Sequence, residues 1–562
     1  MHHTGSTILR TLLERQGIRT LAGIPGGAIL PLYDALHDSS IRHILTRHEQ
    51  GAGFIAQGMA RVTGRAAVCL ATSGPGATNL LTAIADARLD SIPLVAITAQ
   101  VPQALIGTDA FQEVDTYGLT LPITKHNFLV RSVAELLDVV PLAFRIAESG
   151  RPGPVAIDVP KDVLLAGADI TAWPEPGRRE PMPPCPEADL AALAQLLQRA
   201  ERPVLYLGGG VIASGAAGLA HALAQRLSAP AVSTLMALGT LAADDPLHLG
   251  MLGMHGSKGT NLLLEEADVV FAIGARFDDR ATGKVAEFCR RATIVHLDID
   301  RAEIGKIRST HLGVVGDAAD ILRRLLDRLP AVRRPGWRAR AAELRTAYPL
   351  HHPPRAEEPL HPVNLCRFLG EALPDDAIVT TDVGQHQMWM AQAFPVRRPR
   401  TFLTSGGLGT MGFGLPAAIG AALAAPGRRV VCVSGDGSIL MNIQELATLA
   451  ELDLPVAVLV FNNAHLGLVR QQQELFYGGR YSASRFHASP DFAAIARGFG
   501  LRGVQIDPAG DPLDQLANAL AAPGPCLIDI PIHEGANVLP MVPPGAANHQ
   551  TLTETPPAYA HA

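Results

Sequence analysis

The amino-acid sequence predicts an α/β protein with three domains, each built on a doubly wound parallel sheet. Short apolar runs rich in β-branched residues alternate with Ala- and Leu-rich helical patterns, and glycine-rich turns follow several of these runs. Two proline-rich segments, 172–188 and 347–362, divide the 562 residues into thirds. We therefore expect three domains and a C-terminal tail, with the bounds 1–170, 188–345, 362–545 and 546–562.

Composition and charge narrow the class of protein. Hydrophobic residues make up 48% of the chain and charged residues 18%, which is typical of folded α/β enzymes and not of disordered chains. The formal net charge of −6 does not indicate a nucleic-acid surface, and no apolar run reaches the roughly 18 residues of a membrane span. The six cysteines form no C-x-x-C pair, and the N-terminus lacks a secretory pattern. These features predict a cytoplasmic protein with reduced thiols.

One stretch, 429–470, has the pattern of a βαβ unit with a right-handed crossover. Both strands of such a unit end at the same edge of the sheet, so residues that follow them meet there. In chain order the elements are an apolar run at 430–433, the turn Gly435-Asp436-Gly437, a helical pattern from about 441 to 452, and an apolar run at 456–461 followed by Asn462-Asn463.

The carboxylate of Asp436 and the Asn pair are therefore expected to face one pocket. Such oxygen ligands, too few to enclose an ion, suit Mg²⁺, which also binds water and phosphate oxygens. Gly435 and Gly437 allow close approach of a phosphate, and the helix beginning after Ser438 directs N–H groups at an anion. The pattern predicts a metal-bridged diphosphate site. The alternative is two unrelated turns.

The segment GDGS, followed after this interval by NN, resembles the diphosphate-binding motif of thiamine diphosphate enzymes. The resemblance implies that Mg²⁺ is held by Asp436, by Asn463 and by a backbone carbonyl near His465. It also implies cofactor contacts in the glycine-rich passages of the last domain. Those expected contacts are Gly384, Gln385, His386, Gly409, Met411, Gly435, Gly437, Ser438 and Gly467.

Glu49 stands between a predicted strand, 41–46, and a helix. A glutamate in a first helical turn ordinarily complements the helix dipole. RHEQGAG nevertheless resembles the segment of thiamine diphosphate enzymes whose glutamate hydrogen-bonds the pyrimidine ring nitrogen of the cofactor. The resemblance implies a general acid–base role for Glu49, for which a carboxyl group shielded from water is suited.

Residues 65–100 can be laid beside residues 428–463. Both run from an apolar strand with a cysteine through a Gly-x-Gly turn and an Ala/Leu-rich helix to a proline and a second apolar strand. The first and last thirds are therefore predicted to share one fold. In this comparison Pro75 of the first third stands at the position of Asp436 in the last third, so only the last third has the metal-binding carboxylate. We therefore expect one domain to hold the pyrimidine of the cofactor and the other its diphosphate.

Several polar residues are candidates for substrate contact. The turn-rich segment 106–130 contains Phe111, Gln112 and Lys125, for which ordinary loop surface is the alternative, and Lys161 follows a proline-bounded strand. Arg276 is a further candidate, because its planar guanidinium suits a carboxylate.

The middle third has a Rossmann-like layout, with Gly208-Gly209-Gly210 after a strand and an acid after another. A purely structural domain is the alternative. GMLGMHG and GARFDDR resemble FAD-binding segments of acetohydroxyacid synthases, which implies bound FAD. The expected FAD residues are Arg151, Gly208, Gly209, Gly210, Gly253, Met254, His255, Gly274, Arg276, Asp298 and Asp317.

Ten segments spread over about 5–548 together resemble the catalytic subunit of acetohydroxyacid (acetolactate) synthases, with the bacterial type II isozyme as the nearest form. The resemblance implies decarboxylation of pyruvate and transfer of its two-carbon unit to a second 2-oxo acid, with FAD bound but not turning over. It also implies a homodimer or larger homo-oligomer, and leaves a small regulatory subunit open. PMVPPGAANHQ has the position of a flap over the site, and the last dozen residues are expected to be disordered.

One departure from the family is VRQQQ, which has Gln472 where a tryptophan is common. That indole is associated with preference for 2-oxobutyrate as the second substrate, so the sequence predicts a weaker preference here. Three other functions stay open. They are another thiamine diphosphate enzyme, such as a 2-oxo acid decarboxylase, a glyoxylate carboligase or an FAD-free acetolactate synthase; a flavin or nicotinamide oxidoreductase; and a non-catalytic binding protein.

Overall fold

A computed structural model describes residues 2–555. The expectation of disorder for the last dozen residues falls mostly on 556–562, which lie outside the described residues. The part that is described, 551–555, is packed, because Leu552 and Met541 exchange two backbone hydrogen bonds. Among the helices of residues 2–555, none combines the length and the apolar character needed to cross a membrane.

The first unit contains a six-stranded parallel sheet with the order β3-β2-β4-β5-β7-β6, and a separate antiparallel pair, β1 with β8. Its elements are β1 His2–Thr4, α1 Gly5–Arg15, β2 Thr20–Gly23, α2 Leu30–His37, β3 Arg42–Leu45, α3 Glu49–Thr63, β4 Ala67–Ala71, α4 Pro75–Asp90, β5 Leu94–Gln100, α5 Thr116–Thr120, β6 His126–Leu129, α6 Glu135–Glu148, β7 Pro154–Pro160, α7 Lys161–Leu165 and β8 Gly167–Asp169.

The middle unit has a parallel sheet of the order β11-β10-β9-β12-β13-β14, which is the Rossmann order 3-2-1-4-5-6. Its elements are α8 Glu187–Arg199, β9 Pro203–Leu207, α9 Gly209–Ala213, α10 Ala217–Leu227, β10 Ala231–Ser233, β11 His248–Met251, α11 Lys258–Glu266, β12 Val269–Ile273, α12 Asp279–Thr282, β13 Thr293–Asp298, β14 Leu312–Val315, α13 Ala318–Arg328 and α14 Pro335–Ala347.

The third unit has a parallel sheet of the order β16-β15-β17-β18-β20-β19. Its elements are α15 Pro362–Ala372, β15 Ile378–Thr381, α16 Gln385–Ala393, β16 Phe402–Leu403, α17 Gly414–Ala424, β17 Val430–Gly435, α18 Asp436–Ile439, α19 Glu445–Leu452, β18 Val456–Asn462, α20 Gly467–Phe476, α21 Phe492–Gly498, β19 Arg502–Gln505, α22 Pro512–Ala521 and β20 Cys526–Pro531.

The predicted fold class, three α/β units on doubly wound parallel sheets, is confirmed. The first and third sheets have the same strand order when their strands are numbered within each unit, 2-1-3-4-6-5, so the predicted shared fold of the two outer thirds is also confirmed. Strand β4 shows why both faces need helices: Val68 and Leu70 pack in one apolar cluster, while Cys69 and Ala71 pack in another.

The two outer units share one apolar core. The cluster that contains Cys69 of β4 also contains Cys432 of β17 and Val458 of β18, and α3 packs along α17 between the sheets. Gly420 allows this close approach, because a Cβ there would lie 2.0 Å from the carbonyl oxygen of Ile55. All six cysteines are buried and unpaired.

One predicted helix starts later than the pattern indicated. The apolar spacing predicted a helix from about 441, but α19 begins at Glu445, and the short α18 follows the Gly-Asp-Gly turn directly. The side-chain amide of Asn442 donates to the carbonyl of Gly412, at 2.8 Å, and to Gln50, at 3.0 Å. These contacts with other segments hold residues 440–444 in a turn between two helices.

Asp158 in β7 is expected to make stability depend on pH. Its carboxylate is 2% exposed and accepts hydrogen bonds from Thr98 and Gln100. Burial raises its pKa to about 7, although these two hydrogen bonds act to lower it. The folded protein therefore binds this proton more tightly than the unfolded chain does, which adds to the free energy of unfolding below about pH 4. This stabilisation is lost as the pH rises toward about 7, at up to about 1.4 kcal/mol per pH unit.

The measurement is the thermal midpoint of unfolding at about pH 5 and about pH 8. Asp158→Asn should reduce the fall of the midpoint between the two, while Asp38→Asn, at an exposed position, should keep the wild-type fall. An unchanged fall in Asp158→Asn would contradict the prediction.

Candidate functional site

In the third sheet β15 and β17 are adjacent, although β16 lies between them in sequence. From this point the chain adds its strands on opposite sides, which makes it the switch point of the sheet. Residues that follow these two strands therefore flank a crevice at the carboxyl edge of the sheet. Gly384, Gln385 and His386 follow β15, and Asp436 follows β17. A Cβ on Gly435 would lie 2.9 Å from the His386 ring, so the two loops are in contact.

Asp436 carries an oxygen atom without a protein partner. Its side chain is 3% exposed, and Oδ1 accepts from the Gly437 N–H at 2.9 Å, whereas Oδ2 is buried with no hydrogen bond. Burial raises the pKa of Asp436 to about 7, and the N–H groups of Gly437, Ala464 and His465 act in the opposite direction. A buried carboxylate with a free oxygen is costly alone and fits a bound cation.

Asn463 lies beside this carboxylate in a small polar network. Its amide nitrogen donates to Oε1 of Gln385 at 3.1 Å, and its oxygen accepts from the N–H of His465 at 3.1 Å. A Cβ on Gly467 would lie 2.0 Å from the same Gln385 oxygen, so the backbone at Gly467 packs closely against this side chain. The structure thus brings together the predicted residues Asp436, Asn463, His465, Gln385 and Gly467.

The remaining predicted diphosphate contacts lie around this network. Ser438 Oγ accepts from the Gly435 N–H at 3.0 Å, and His386 is buried with an unpartnered Nε2 and a pKa that burial lowers to about 3. Met411 stands between Gly409, at φ +70°, and Gly412, at φ +90°. Within residues 2–555 no three His, Cys, Asp or Glu side chains group as metal ligands, so an ion here would need other donors.

Glu49 is the first residue of α3 and is 8% exposed. Its Oε2 accepts a hydrogen bond from the Asn79 amide at 2.9 Å. The backbone N–H groups of Arg47 and His48 both donate to Oε1 of Glu445, each at 3.0 Å. Glu445 of the third unit therefore fixes the start of α3. The sequence did not indicate this role, because Glu445 is an ordinary residue for an exposed helix.

A cavity of about 1120 Å³ lies where the three units meet. It exceeds the usual size of a small-molecule site, which is roughly 300–1,000 Å³, and so has room for a dinucleotide. Nine of the eleven residues predicted for FAD line it, namely Arg151, Gly208, Gly209, Gly210, Met254, His255, Gly274, Arg276 and Asp298.

The other two predicted FAD residues do not line the cavity. A Cβ on Gly253 would lie 2.2 Å from the carbonyl oxygen of Arg280, so this glycine permits close backbone packing. The carboxylate of Asp317 caps α13 through the Ala319 N–H and pairs with Arg179 at 2.5 Å. Both residues have structural contacts next to the cavity, and neither faces it.

The glycines and the acid of the cavity come from different strands. A Cβ on Gly208, after β9, would lie 2.0 Å from the carbonyl oxygen of Gly274, after β12, so the two turns pack directly on each other. Asp298 ends β13, which is two strands from β9 in the sheet although far from it in sequence. The sheet order, and not sequence spacing, places the acid near the glycines.

The cavity extends from the middle unit to the third unit. Gly409, Gln472 and Arg276 all line it, and the guanidinium of Arg276 donates to the carbonyl of Leu89 at 2.6 Å. Two predicted substrate residues, Arg276 and Gln472, therefore share one cavity with the predicted cofactor residue Gly409.

Other predicted substrate residues lie elsewhere in the chain. Phe111 is 88% exposed, Gln112 has a φ of +59° against Gly74, and Lys161 begins α7. None of them, nor Glu49, lines the cavity of this chain. The amino group of Lys125 donates to the carbonyl groups of Ile146 and Ser149 at the end of α6, which directs it away from a substrate role.

Three parallel sheets, a buried carboxylate with a free oxygen at a switch point and a dinucleotide-sized cavity define the class of thiamine diphosphate (thiamine pyrophosphate, TPP) enzymes. Family models of thiamine pyrophosphate enzymes match all three units. The N-terminal TPP binding domain matches residues 3–119, the central domain 190–325 and the C-terminal TPP binding domain 382–530.

Within this class, the chain belongs to the family of acetolactate synthase large subunits. It is 54% identical over 552 residues to the acetolactate synthase isozyme 1 large subunit of Escherichia coli (strain K12), covering 98% of each chain. Isozyme 2 of the same organism is 48% identical over 547 residues, with 96% and 97% covered. A probable acetolactate synthase large subunit of Methanocaldococcus jannaschii is 46% identical over 556 residues, with 96% and 94% covered.

The predicted family is thereby confirmed. The finer expectation that the type II isozyme is the nearest form does not hold for overall identity, since isozyme 1 is more similar than isozyme 2.

Proposed function

We propose that this protein is a thiamine diphosphate-dependent acetolactate synthase. It decarboxylates pyruvate and joins the two-carbon unit to pyruvate or 2-oxobutyrate, giving 2-acetolactate or 2-aceto-2-hydroxybutyrate, the first common step of branched-chain amino acid synthesis. The observation that carries the proposal is the unpartnered Oδ2 of Asp436 beside Asn463 and Gln385, in a chain that aligns along 98% of its length with an acetolactate synthase large subunit.

The residues of the switch point fit Mg²⁺ and a diphosphate. Asp436, Asn463 and the backbone carbonyl of His465 would hold the ion, and Gly384 to His386 with Gly435 to Ser438 would contact the diphosphate. When bound, thiamine diphosphate supplies a carbon nucleophile and an electron sink for the 2-oxo acid. The fit rests on the orphaned oxygen of Asp436, the free Nε2 of His386 and the close packing of Gly467 against Gln385.

Glu49 would exchange a proton with the pyrimidine ring nitrogen of the cofactor. Its carboxyl group is almost fully buried. The amide of Asn79 donates a hydrogen bond to one oxygen, and the other oxygen accepts no hydrogen bond from α3. A carboxyl group held away from water in this way is suited to general acid–base catalysis, since solvent does not compete for the proton.

We propose FAD as the occupant of the large cavity, bound without redox turnover. The paired glycine turns after β9 and β12, Asp298 and Arg151 would contact it. A flavin absorbance spectrum of the purified protein tests this. It also separates the proposed enzyme from FAD-free acetolactate synthases and from most 2-oxo acid decarboxylases.

The arrangement supports a homodimer as the smallest active unit. Glu49, Phe111, Gln112 and Lys161 do not line the cavity that contains Arg276 and Gln472. In the proposed dimer they would complete the site of the partner chain, where Arg276 binds the carboxylate of pyruvate or 2-oxobutyrate through its planar guanidinium. Equilibrium sedimentation combined with activity measurements tests this assembly.

Two further properties belong to the proposal. The relatives are named large subunits, which supports a small regulatory subunit as partner. Six buried, unpaired cysteines support a reducing compartment, and we propose the cytoplasm.

The decisive experiment is product analysis with pyruvate alone and with pyruvate plus 2-oxobutyrate. Each reaction is run complete and with thiamine diphosphate, Mg²⁺ or FAD omitted. Acetolactate that disappears without thiamine diphosphate or Mg²⁺ is the expected result. Release of an aldehyde as the sole product would instead show a decarboxylase, and reduction of a dye without carbon–carbon bond formation would show an oxidoreductase.

Gln472 is expected to weaken the preference for 2-oxobutyrate over pyruvate. It lies on α20 and lines the large cavity, where an amide offers less apolar contact to the extra methylene than an indole does. Such a contact decides about 1–3 kcal/mol, so Gln472→Trp should raise the 2-oxobutyrate preference by roughly tenfold or more. The measurement is the product ratio in competition. Gln473→Trp, one position further along α20, is the control, and strong preference in the wild type would contradict the prediction.

A further inference from the structure

The last turn of α4 contacts both of the other units. Asp86, Leu89 and Asp90 make these contacts, and the following Ser91 binds Arg151 of the first unit. We call these four residues the α4 junction. Three of the four also line the large cavity. No motif in the sequence marks the junction, because its partners come from distant parts of the chain.

Asp90 binds the third unit through both of its oxygens. Oδ1 accepts from the N–H of Gly407 at 2.7 Å, and Oδ2 accepts from the N–H of Gly406 at 3.0 Å and from Arg61 at 2.8 Å. The carboxylate is 0% exposed. Two of its three donors are backbone N–H groups, which cannot turn around to accept a bond.

Asp86 differs from Asp90 in how its oxygens are used. A single oxygen, Oδ1, accepts from the hydroxyl groups of Ser405 and Thr410, and the other faces Arg61 at 3.3 Å. An asparagine could keep the oxygen that serves both hydroxyls. Asp86 and Asp90 are thus two equally buried acids beside one arginine. Only Asp90 uses both of its oxygens to accept hydrogen bonds from backbone N–H groups.

The segment bound by these acids is 405–412, which has the sequence SGGLGTMG and which we call the glycine loop. At its other end the N–H of Gly412 donates to Asp382 of the third unit at 2.7 Å. Four glycines give the loop many accessible conformations, so its shape depends on anchors at both ends. Gly409 and Met411, two of the proposed cofactor contacts, lie between the anchors.

The same turn of α4 also binds the middle unit. The carbonyl of Leu89 accepts from the guanidinium of Arg276 of the middle unit. The hydroxyl of Ser91 accepts at 2.8 Å from Arg151, which precedes β7 in the first unit. Arg151 in turn pairs with Glu303 at 2.6 Å. The position of Arg276, the proposed carboxylate-binding residue, is therefore tied to the turn that anchors the glycine loop.

We infer that Asp90 is a positioning residue, which holds the glycine loop against the α4 junction and so sets the cofactor-contacting loop and Arg276 together. The inference rests on the proposed function, since it concerns the same site. Asp90 acts on the glycine loop through its hydrogen bonds to the backbone of Gly406 and Gly407.

The test compares Asp90→Asn with Asp86→Asn in the full-length holoenzyme. Both substitutions keep side-chain volume and remove one buried charge beside Arg61. In Asp90→Asn an amide NH₂ must face a backbone N–H, so the loop loses an anchor, whereas Asp86→Asn keeps both hydroxyl contacts. Asp90→Glu, which keeps two acceptor oxygens, serves as the conservative variant and as a second variant if Asp90→Asn does not fold.

We expect Asp90→Asn to raise both the half-saturating thiamine diphosphate concentration and the KM for pyruvate by about tenfold or more. A change of this size is expected when a buried hydrogen bond to a charged group is lost. The kcat at saturation should change by less than about threefold, because the reacting groups are intact. Thiamine diphosphate binding without substrate, followed by protein fluorescence, should weaken in parallel. Flavin content and both constants should stay near wild type in Asp86→Asn, and Asp90→Glu should lie between.

Equal effects of Asp90→Asn and Asp86→Asn, or a loss of kcat with both constants unchanged, would overturn the inference. Failure of the proposed function looks different, because the wild type itself would then show no acetolactate and no response to thiamine diphosphate. A wild type that forms acetolactate while Asp90→Asn matches it in both constants would refute the role of Asp90 alone.

Discussion

Replacing Glu49 by glutamine is expected to lower acetolactate formation by about 10²–10⁴-fold, the usual contribution of a positioned general acid–base group. Glutamine keeps the shape of the side chain and can still accept the hydrogen bond from Asn79, so the fold should be unchanged. It cannot share a proton with a ring nitrogen. The measurements are acetolactate formation and thiamine diphosphate binding, and binding should persist while activity is lost.

The competing interpretation of Glu49 is a simple interaction with the dipole of α3. Glu135 provides a control, because it is likewise the first residue of a long helix, α6, and its carboxylate likewise accepts one hydrogen bond, in this case from the N–H of Arg131. Loss of either dipole interaction costs about 0.3–1 kcal/mol of stability. Glu135→Gln should therefore match Glu49→Gln in thermal midpoint and retain full activity. A Glu49→Gln variant as active as Glu135→Gln would end the catalytic assignment.

Asp436→Asn should abolish the stabilisation that Mg²⁺ and thiamine diphosphate confer. A buried carboxylate whose pKa is raised to about 7 costs free energy in the cofactor-free protein, so the substitution should leave the thermal midpoint of that form unchanged or raise it. With cofactor and metal present, the wild-type midpoint should rise, as expected for a ligand that binds only the folded state, and that of the variant should not. The affinity for the metal-bound cofactor should fall by at least about 100-fold.

The neighbouring asparagines supply a control inside the same turn. Asn463 contacts Gln385 in the crevice, whereas the amide of Asn462 donates to Asp529 at 3.0 Å, outside it. Asn463→Ala should lose most of the cofactor-induced shift, and Asn462→Ala should keep it. If both variants keep the shift, or if Asp436→Asn keeps it, the metal site lies elsewhere.

The repeated pattern of the outer thirds was enough to predict their common fold. Residues 65–100 and 428–463 alternate apolar strands with helices and place a proline before the second strand, and in the structure the two sheets have identical strand orders. Such patterns are local, and each strand and helix buries its own apolar positions. The site motif was also local, because Asp436 and Asn463 follow adjacent strands of one crossover unit.

Other parts of the site could not be predicted from local pattern. Asp298 lines the large cavity because β13 lies two strands from β9, and Glu445 fixes the start of α3 from another unit. Gly253 and Asp317, the two other residues predicted for FAD, do not line this cavity, since Gly253 packs against backbone and Asp317 caps a helix. Periodicity describes which face of an element is buried, and it does not describe which distant element covers that face.

The sequence by itself determined three α/β units, the equivalence of the outer two, and the chemistry of a carboxylate and an amide beside a glycine turn. These features depend on residue type and on contacts between neighbours in sequence. Only the tertiary structure decided that one turn of α4 anchors both the glycine loop and Arg276, and that three units enclose a single cavity. Asp90 and Gly407 are 317 residues apart, and their hydrogen bond forms where the two outer units pack on each other through a shared apolar core.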